Sequence, residues 1–461
     1  MRLMVYSKET IRRRGFDMIE SQANLYGRLH GWLDGGAGEE YGIKMSRLIF
    51  LGCMAYLTIG LGQLVVGSVL EPMVHAYGVQ YGDGGQLVMN QFLGGLAGTM
   101  AAPLLIGRIG RRGLLLASFL GMAMMEFIYM TQPEWGAMLA VAPLTGFCFG
   151  IIEALIGSLI ISATGERANV AMSRLETFFG LGALIIPFAG AALIEAGQWK
   201  LAFGIVGALA AVTFVLWLTL WPTELLGARG DAHAGDGAGH GGGDASLAPG
   251  SSTPGRRWSG RAGRRYGLLL GCCALFFVVY VGMEMSFVHY LPSMLVQENG
   301  LSDASAALSI SAFWVAMTLG RLISGQLADR IGGGMYLLLG SALGAACFLV
   351  MALSGGTTEM FVFSFIAGFA FSGLFAIGLV FTNRAVPGVT ERTTSLLIAC
   401  GLLGGAIMPK LIGWALDQYA VSTSRWLFFT FSAAMIAIVL AALALARRTS
   451  RSHTSSPSTA Q

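Results

Sequence analysis

Gly325-Gln-Leu-Ala-Asp329-Arg330-Ile-Gly332 closes one long apolar stretch, and Pro103-Leu-Leu-Ile-Gly107-Arg108-Ile-Gly110-Arg111-Arg112 closes another. The two lie on opposite sides of a long polar linker, each at the end of the second apolar span of its own half. A charged turn repeated at equivalent places marks an internal duplication of helical segments.

Composition points the same way. The chain has 461 residues, of which 55% are hydrophobic and 12% charged, against about 25% charged in an ordinary soluble domain. So few charges cannot cover a soluble surface, and the reading is a polytopic membrane protein. The net charge of +4 says less than its distribution. Cys53, Cys148, Cys272, Cys273, Cys347 and Cys400 all fall within apolar spans. They read as small hydrophobes rather than disulfides or metal ligands.

Twelve spans can be counted, near 47–69, 86–106, 113–131, 136–161, 175–195, 201–221, 267–290, 306–327, 335–354, 360–382, 394–416 and 426–446. Each is long enough for a helix to cross a hydrocarbon core of roughly 30 Å. In lipid the backbone must satisfy itself, which selects helices, and the alternating pattern of a barrel is absent. One set of loops carries Arg108, Arg111, Arg112, Arg167, Arg174, Arg330, Arg384 and Arg392, whereas the opposite set carries Lys200 and Arg425. The positive-inside rule then puts both termini in the cytoplasm, as an even span count requires.

The linker, 223–266, is rich in Gly, Ala, Asp and Ser and cannot form a packed core. It lacks the flanking strand and helix of a phosphate-binding glycine loop. His233 and His240 with Asp231, Asp236 and Asp244 read as solvated linker rather than as a metal site. Arg256 to Arg265 are expected to pin the start of span 7 to an anionic leaflet. The first 45 residues lack the apolar core of a secretory signal. Residues 8–32 could form an amphipathic surface helix; alternatively, translation starts at Met45.

The repeated turn resembles the signature loop of the major facilitator superfamily, Gly-x-x-x-Asp-Arg-x-Gly-(basic). Its second copy, Gly325 to Gly332, matches apart from the final basic position. The first copy keeps Arg108, Gly110 and Arg111 but has Pro103 for the glycine and Gly107 for the acid. Further patterns run through both halves. They include Gly146-Phe-Cys-Phe-Gly150-Ile-Ile-Glu153, Ser173-Arg174-Leu-Glu176, Val279-Tyr280-Val-Gly282-Met-Glu284, Phe313-Trp314, Gly320-Arg321 and Gly404-Gly405-Ala-Ile-Met-Pro409-x-x-Gly413. Together, over 47–446, they are similar to the fucose/glucose/galactose–proton symporter branch.

Glu153 stands out without the resemblance. A carboxyl within a span is costly and usually faces the bundle interior or a wet cavity. An acid whose surroundings alternate can load and unload a proton. The resemblance implies that Glu153 is the proton-coupling residue. The second acid of those symporters, in span 1, aligns here with Ser68. Glu284 on span 7 is a substrate-binding candidate or an acid wet at the outer mouth, and His289 reads as interfacial. Glu176 is expected to enter an interdomain or loop ion pair, with Arg174 beside it. Glu126 falls on span 3, peripheral in the resembled fold. Lys410 could pair with a carboxylate, bind an anion or snorkel.

Gln63, Asn90 and Gln91 could hydrogen-bond sugar hydroxyls or tie helices together. Phe179 and Trp314 could stack on a sugar ring or simply pack. The resemblance implies a gating motif of Arg108, Gly110, Arg111, Gly325, Asp329, Arg330 and Gly332, with Arg321 capping the network around Asp329. Small residues recur every fourth position at Gly94, Gly98 and Ala102, at Gly146, Gly150, Ala154 and Ser158, at Ala312, Ala316, Gly320 and Ser324, and at Gly401, Gly405, Pro409 and Gly413. That spacing lets neighbouring helix backbones approach closely.

The expected architecture is an all-α membrane protein with twelve transmembrane helices in two six-helix bundles. A tail covers 1–46, the bundles 47–222 and 267–447, the linker 223–266 and a second tail 448–461. The expected function is a plasma-membrane secondary transporter, not an enzyme, that moves a small polar solute by proton-coupled alternating access. By resemblance the solute is a sugar. The expected partners are that solute, protons and the lipid bilayer, with no nucleic acid, no cofactor and no metal, in a monomer. Two rivals stand. One is a proton-antiport exporter, although Gly182-Ala-Leu-Ile-Ile-Pro187-Phe-Ala-Gly190 lacks the Gly-Pro pair of that class. The other is a non-transporting sensor.

Overall fold

A computed structural model describes residues 36–164, 168–223, 260–386 and 390–454. The N-terminal surface helix, most of the linker with His233, His240 and its aspartates, and Arg167 lie outside the described residues. The chain divides into compact units at Met1–Phe50 and Leu51–Gln461. The described part of the first unit is helical; the following concerns the second.

Among the described residues, twelve helices are long and apolar enough to cross a membrane. Spans 1 to 6 are Met45–Ser68, Tyr81–Ile109, Arg111–Met130, Trp135–Thr164, Arg174–Glu195 and Leu201–Thr219. Spans 7 to 12 are Arg264–Asn299, Asp303–Ile331, Gly333–Ser354, Thr357–Ala385, Thr393–Gln418 and Val421–Arg447. Five features depart from the sequence reading. Span 7 runs to Asn299, well past 290, because Pro292 costs one hydrogen bond without stopping the helix. The stop comes at Gly300, whose φ of +64° suits glycine. A short helix, Leu70–Tyr77, follows span 1 after a bend at Val69, and span 10 breaks at Ser372 and Gly373. The helix carrying span 7 also begins at Gly260, inside the expected linker, and that carrying span 12 reaches Thr454.

The helices form two groups of six. In the first group span 2 packs on span 4 and span 3 on span 6; in the second, span 7 packs on spans 11 and 12 and span 8 on span 10. Among the described residues, span 2 meets span 11 and span 5 meets span 8 in seams across the halves, and span 1 touches span 7 where Gly67 packs on His289.

The small-residue stripes make these seams possible. A methyl at Gly146 would sit 1.8 Å from the Gln91 carbonyl oxygen, and one at Gly98 would sit 2.2 Å from that of Phe147. Spans 2 and 4 therefore touch backbone to backbone. The span 11 stripe faces span 2 across the seam: Gly405 meets the Phe92 ring and Gly413 meets the Tyr81 carbonyl.

The repeated turn is also repeated in backbone geometry. Gly110 has φ +78° and donates to Ile106 O at 2.9 Å; Gly332 has φ +89° and donates to Ala328 O at 2.8 Å. Each ends one span and opens the next at a dihedral that favours glycine. This places both turns at one end of the bundles, here termed the arginine-rich end. The loops with Lys200 and Arg425 mark the arginine-poor end.

Candidate functional site

The chemistry gathers midway, where the halves meet. Glu153 lies on the face of span 4 that carries Gly157, and Gly157 looks onto the Tyr56 hydroxyl of span 1. Its side chain is exposed rather than packed against a neighbouring helix. Glu176 of span 5 is within electrostatic reach of Glu153, Tyr56 and Glu284. Glu284 is buried on span 7, one turn from Tyr280 and within reach of Arg321. It is therefore not an acid at a wet mouth.

Arg321 crosses the span 5–span 8 seam. Its Nη1 lies 3.5 Å from Glu176 Oε2, and its guanidinium sits 5.7 Å from the Trp314 ring centroid. Asp329, Arg330 and Gly325 are exposed, and Asp329 makes no ion pair among the described residues. Arg321 thus does not cap an Asp329 network. Eight residues separate the two on one helix, and the guanidinium turns toward the other half. The partner of Glu176 is likewise Arg321 rather than its neighbour Arg174. Arg108 is exposed beside the Gly110 turn, while Arg112 donates to Leu218 O at 3.1 Å and lies over Trp221.

Trp314 is buried, meets Phe179 edge-on at 5.8 Å, and leaves Nε1 without a protein partner. The Thr318 hydroxyl, one turn on, is also unpartnered. Gln63 is half-buried on span 1. Asn90 and Gln91 are differently placed. Asn90 Nδ2 donates to Leu139 O at 3.1 Å and its Oδ1 accepts from Gln86. Gln91 Nε2 donates to Gly62 O at 3.5 Å. Both side chains are engaged in holding span 2 to its neighbours.

Two further residues differ from expectation, and a third, Glu126, lies away from the centre as its span implies. His289 is not interfacial: it is fully buried, its Nδ1 2.7 Å from Met285 O, with Gly67 of span 1 packed on its ring. Lys410 donates to Gly82 O at 2.8 Å, in the first turn of span 2, rather than pairing with a carboxylate. Glu126 is buried against span 6 beside Gly207, away from the central group.

At the arginine-poor end both seams are closed. Ala191 packs on Ala304 and Ala307 with Ile194 and Leu308 around them, and Ser311 donates to Leu184 O at 3.3 Å. Glu71, on the short helix outside the spans, is buried there. Its Oε1 accepts from the Tyr81 hydroxyl at 2.6 Å and lies 3.2 Å from His75 Nε2. Burial pushes the Glu71 carboxyl up; the Tyr81 and Ser293 hydroxyls and His75 oppose this, and Asp303 reinforces it. Neither Glu71 nor Asp417 is legible as a contact residue in the sequence, because an acid at a span end reads as solvated.

Two pseudo-symmetric six-helix groups with an acid-rich meeting place define a secondary transporter of the membrane. The family model of the Major Facilitator Superfamily matches residues 52–387 and 274–461, and the chain belongs to that superfamily. It is 26% identical over 388 residues to the glucose/mannose transporter GlcP of Bacillus subtilis, covering 84% of this chain and 92% of that one. It is 25% identical over 418 residues to a gallate transporter of Pseudomonas putida, covering 83% and 87%. Among solved structures, a peptide transporter, POT, superposes with a TM-score of 0.69 at 13% identity, covering 90% of this chain and 96% of that one. The nucleoside transporter NupG gives 0.65 at 14%, covering 87% and 99%. At such identities these two speak for the fold alone.

Proposed function

We propose that the protein couples proton entry to uptake of a hydroxyl-rich small solute, a sugar, across the plasma membrane, with the arginine-rich end and both termini cytoplasmic. The observation that carries this reading is the charge balance at the centre. Glu176 pairs with Arg321 and Glu284 lies within its reach, whereas Glu153 faces Glu176 with no guanidinium of its own. A bound proton is the natural counter-charge for the excess acid, and Glu153, which is exposed and has no ion-pair partner among the described residues, is the one placed to exchange it.

Solute recognition falls to groups that the protein leaves open. Trp314 Nε1 and the Thr318 hydroxyl are buried donors without partners, and Gln63 on span 1 adds a half-buried amide. Such groups suit hydroxyls, which need paired donors and acceptors. Likeness to the glucose/mannose transporter supports a sugar. Glu153 takes up a proton in the outward-open form, solute binds between the halves, and rocking releases both inward. The arginine-poor seams are closed in the conformer described here, as the inward-facing form of this cycle requires.

A second reading is an aromatic acid as solute. Arg321 over the Trp314 ring favours it, because a guanidinium can take a carboxylate while the indole stacks. The test is reconstitution into liposomes holding a pH dye, with hexoses, pentoses and gallate added in turn. Lumen acidification by a hexose or pentose supports the first reading and acidification by gallate alone the second. No acidification with any solute overturns both.

A further inference from the structure

The arginine-poor end contains more than packed apolar residues. Span 2 begins at Tyr81, and the first amides of a helix have no partner within it. Here they are met by a side chain from the other half. Asp417, at the end of span 11, accepts from Tyr81 N at 2.8 Å through Oδ1 and from Gly82 N at 2.6 Å through Oδ2. Both carboxylate oxygens are thus used on a helix N-terminus, where the macrodipole also favours negative charge.

The same turn is held at three other points. The Tyr290 hydroxyl of span 7 donates to Tyr81 O at 2.8 Å, and Lys410 of span 11 donates to Gly82 O at 2.8 Å. From its own half, Glu71 accepts from the Tyr81 hydroxyl at 2.6 Å. The backbones are close as well. A methyl at Gly85 would sit 2.6 Å from Pro409 O, and one at Gly413 would sit 2.5 Å from Tyr81 O. Within its own half, span 2 holds span 4 through glycine backbones and through the Asn90 and Thr99 side chains. The first turn of span 2 makes four hydrogen bonds with side chains of the other half.

We infer that Asp417 is a gating residue: its carboxylate, clasping the first turn of span 2, is the latch that holds the arginine-poor gate shut. The inference rests on alternating access but not on any solute or coupling ion. An ordinary helix cap would steady one turn of span 2. A latch sets an equilibrium between two arrangements of the halves, so its loss is felt at every contact on that face, including the span 5–span 8 seam that Asp417 does not touch.

Hydrogen–deuterium exchange of the full chain in lipid nanodiscs tells these apart. In Asp417→Asn, which keeps size and one acceptor, the amides of Tyr81 to Gln86 should exchange faster. The remote segments 186–196 and 301–308 should accelerate with them. Loss of a hydrogen bond to a charged group corresponds to roughly a tenfold to hundredfold change in an opening equilibrium. Tyr290→Phe should move the same three segments in the same direction by less, and it carries the test should Asp417→Asn fold poorly. Acceleration confined to Tyr81–Gln86, or none, overturns the latch. Because exchange needs neither solute nor proton gradient, this outcome stands whatever the liposome assay gives.

Discussion

Adding one methyl at Gly146 should separate spans 2 and 4. The new carbon would lie 1.8 Å from the Gln91 carbonyl oxygen, where ordinary contact begins at 3.4 Å. The obstacle is backbone, so no rotamer change relieves it, and Gly94 and Gly150 make similar approaches along the same stripe. The helices must part or unwind. Overpacking of this kind costs typically about 1–3 kcal/mol, and a rigid backbone obstacle belongs at or above the upper end. Gly267→Ala is the matched control, because nothing lies within 4 Å of a methyl there. In an exposed helical position alanine is favoured by up to about 1 kcal/mol. Thermal unfolding of the detergent-purified protein, followed by size-exclusion fluorescence, should show a large drop for Gly146→Ala and none for Gly267→Ala. Equal melting temperatures would refute the close-packing argument.

Three other outcomes follow from the geometry. Asn90→Ala loses bonds to Leu139 and Gln86, which should cost about 1 kcal/mol of stability and leave solute affinity unchanged; weakened binding at unchanged stability would return Asn90 to the solute site. Glu176→Gln breaks an ion pair whose acid is 46% exposed, so less than about 1 kcal/mol of stability should go with it, and a larger fall in melting temperature contradicts that reading. Glu71 gives a pH signature. Its carboxyl is raised from the ordinary 4.5 by burial, so its contribution to stability is complete below that value and is lost as pH rises through the raised one. Glu71→Gln should flatten the fall in melting temperature over that window, and an unchanged slope removes the assignment.

What is legible in the sequence depends on the physics behind each feature. The twelve spans were legible because hydrocarbon enforces length and apolarity together. The stripes at Gly94 and Gly98 and at Gly146 and Gly150 were legible because a period of four maps onto one helix face. Partners across the seams were not. Nothing in Gly320-Arg321 says that the guanidinium turns to Glu176 in the other half, and nothing near Asp417 points to the start of span 2, 335 positions away. His289 looked interfacial because polarity near a span end usually is, yet Gly67 allows span 1 to close over it. The short helix Leu70–Tyr77 is not legible because its apolar residues continue those of span 1, although Gly67 and Pro72 flank the bend at Val69.

The most direct test of the proposed coupling compares wild type with Glu153→Gln in the same liposomes, under an imposed inward proton gradient and without one. The account predicts that wild type accumulates the sugar against its concentration gradient. The variant should exchange labelled for unlabelled sugar but accumulate none. Accumulation by Glu153→Gln equal to that of wild type would contradict the account.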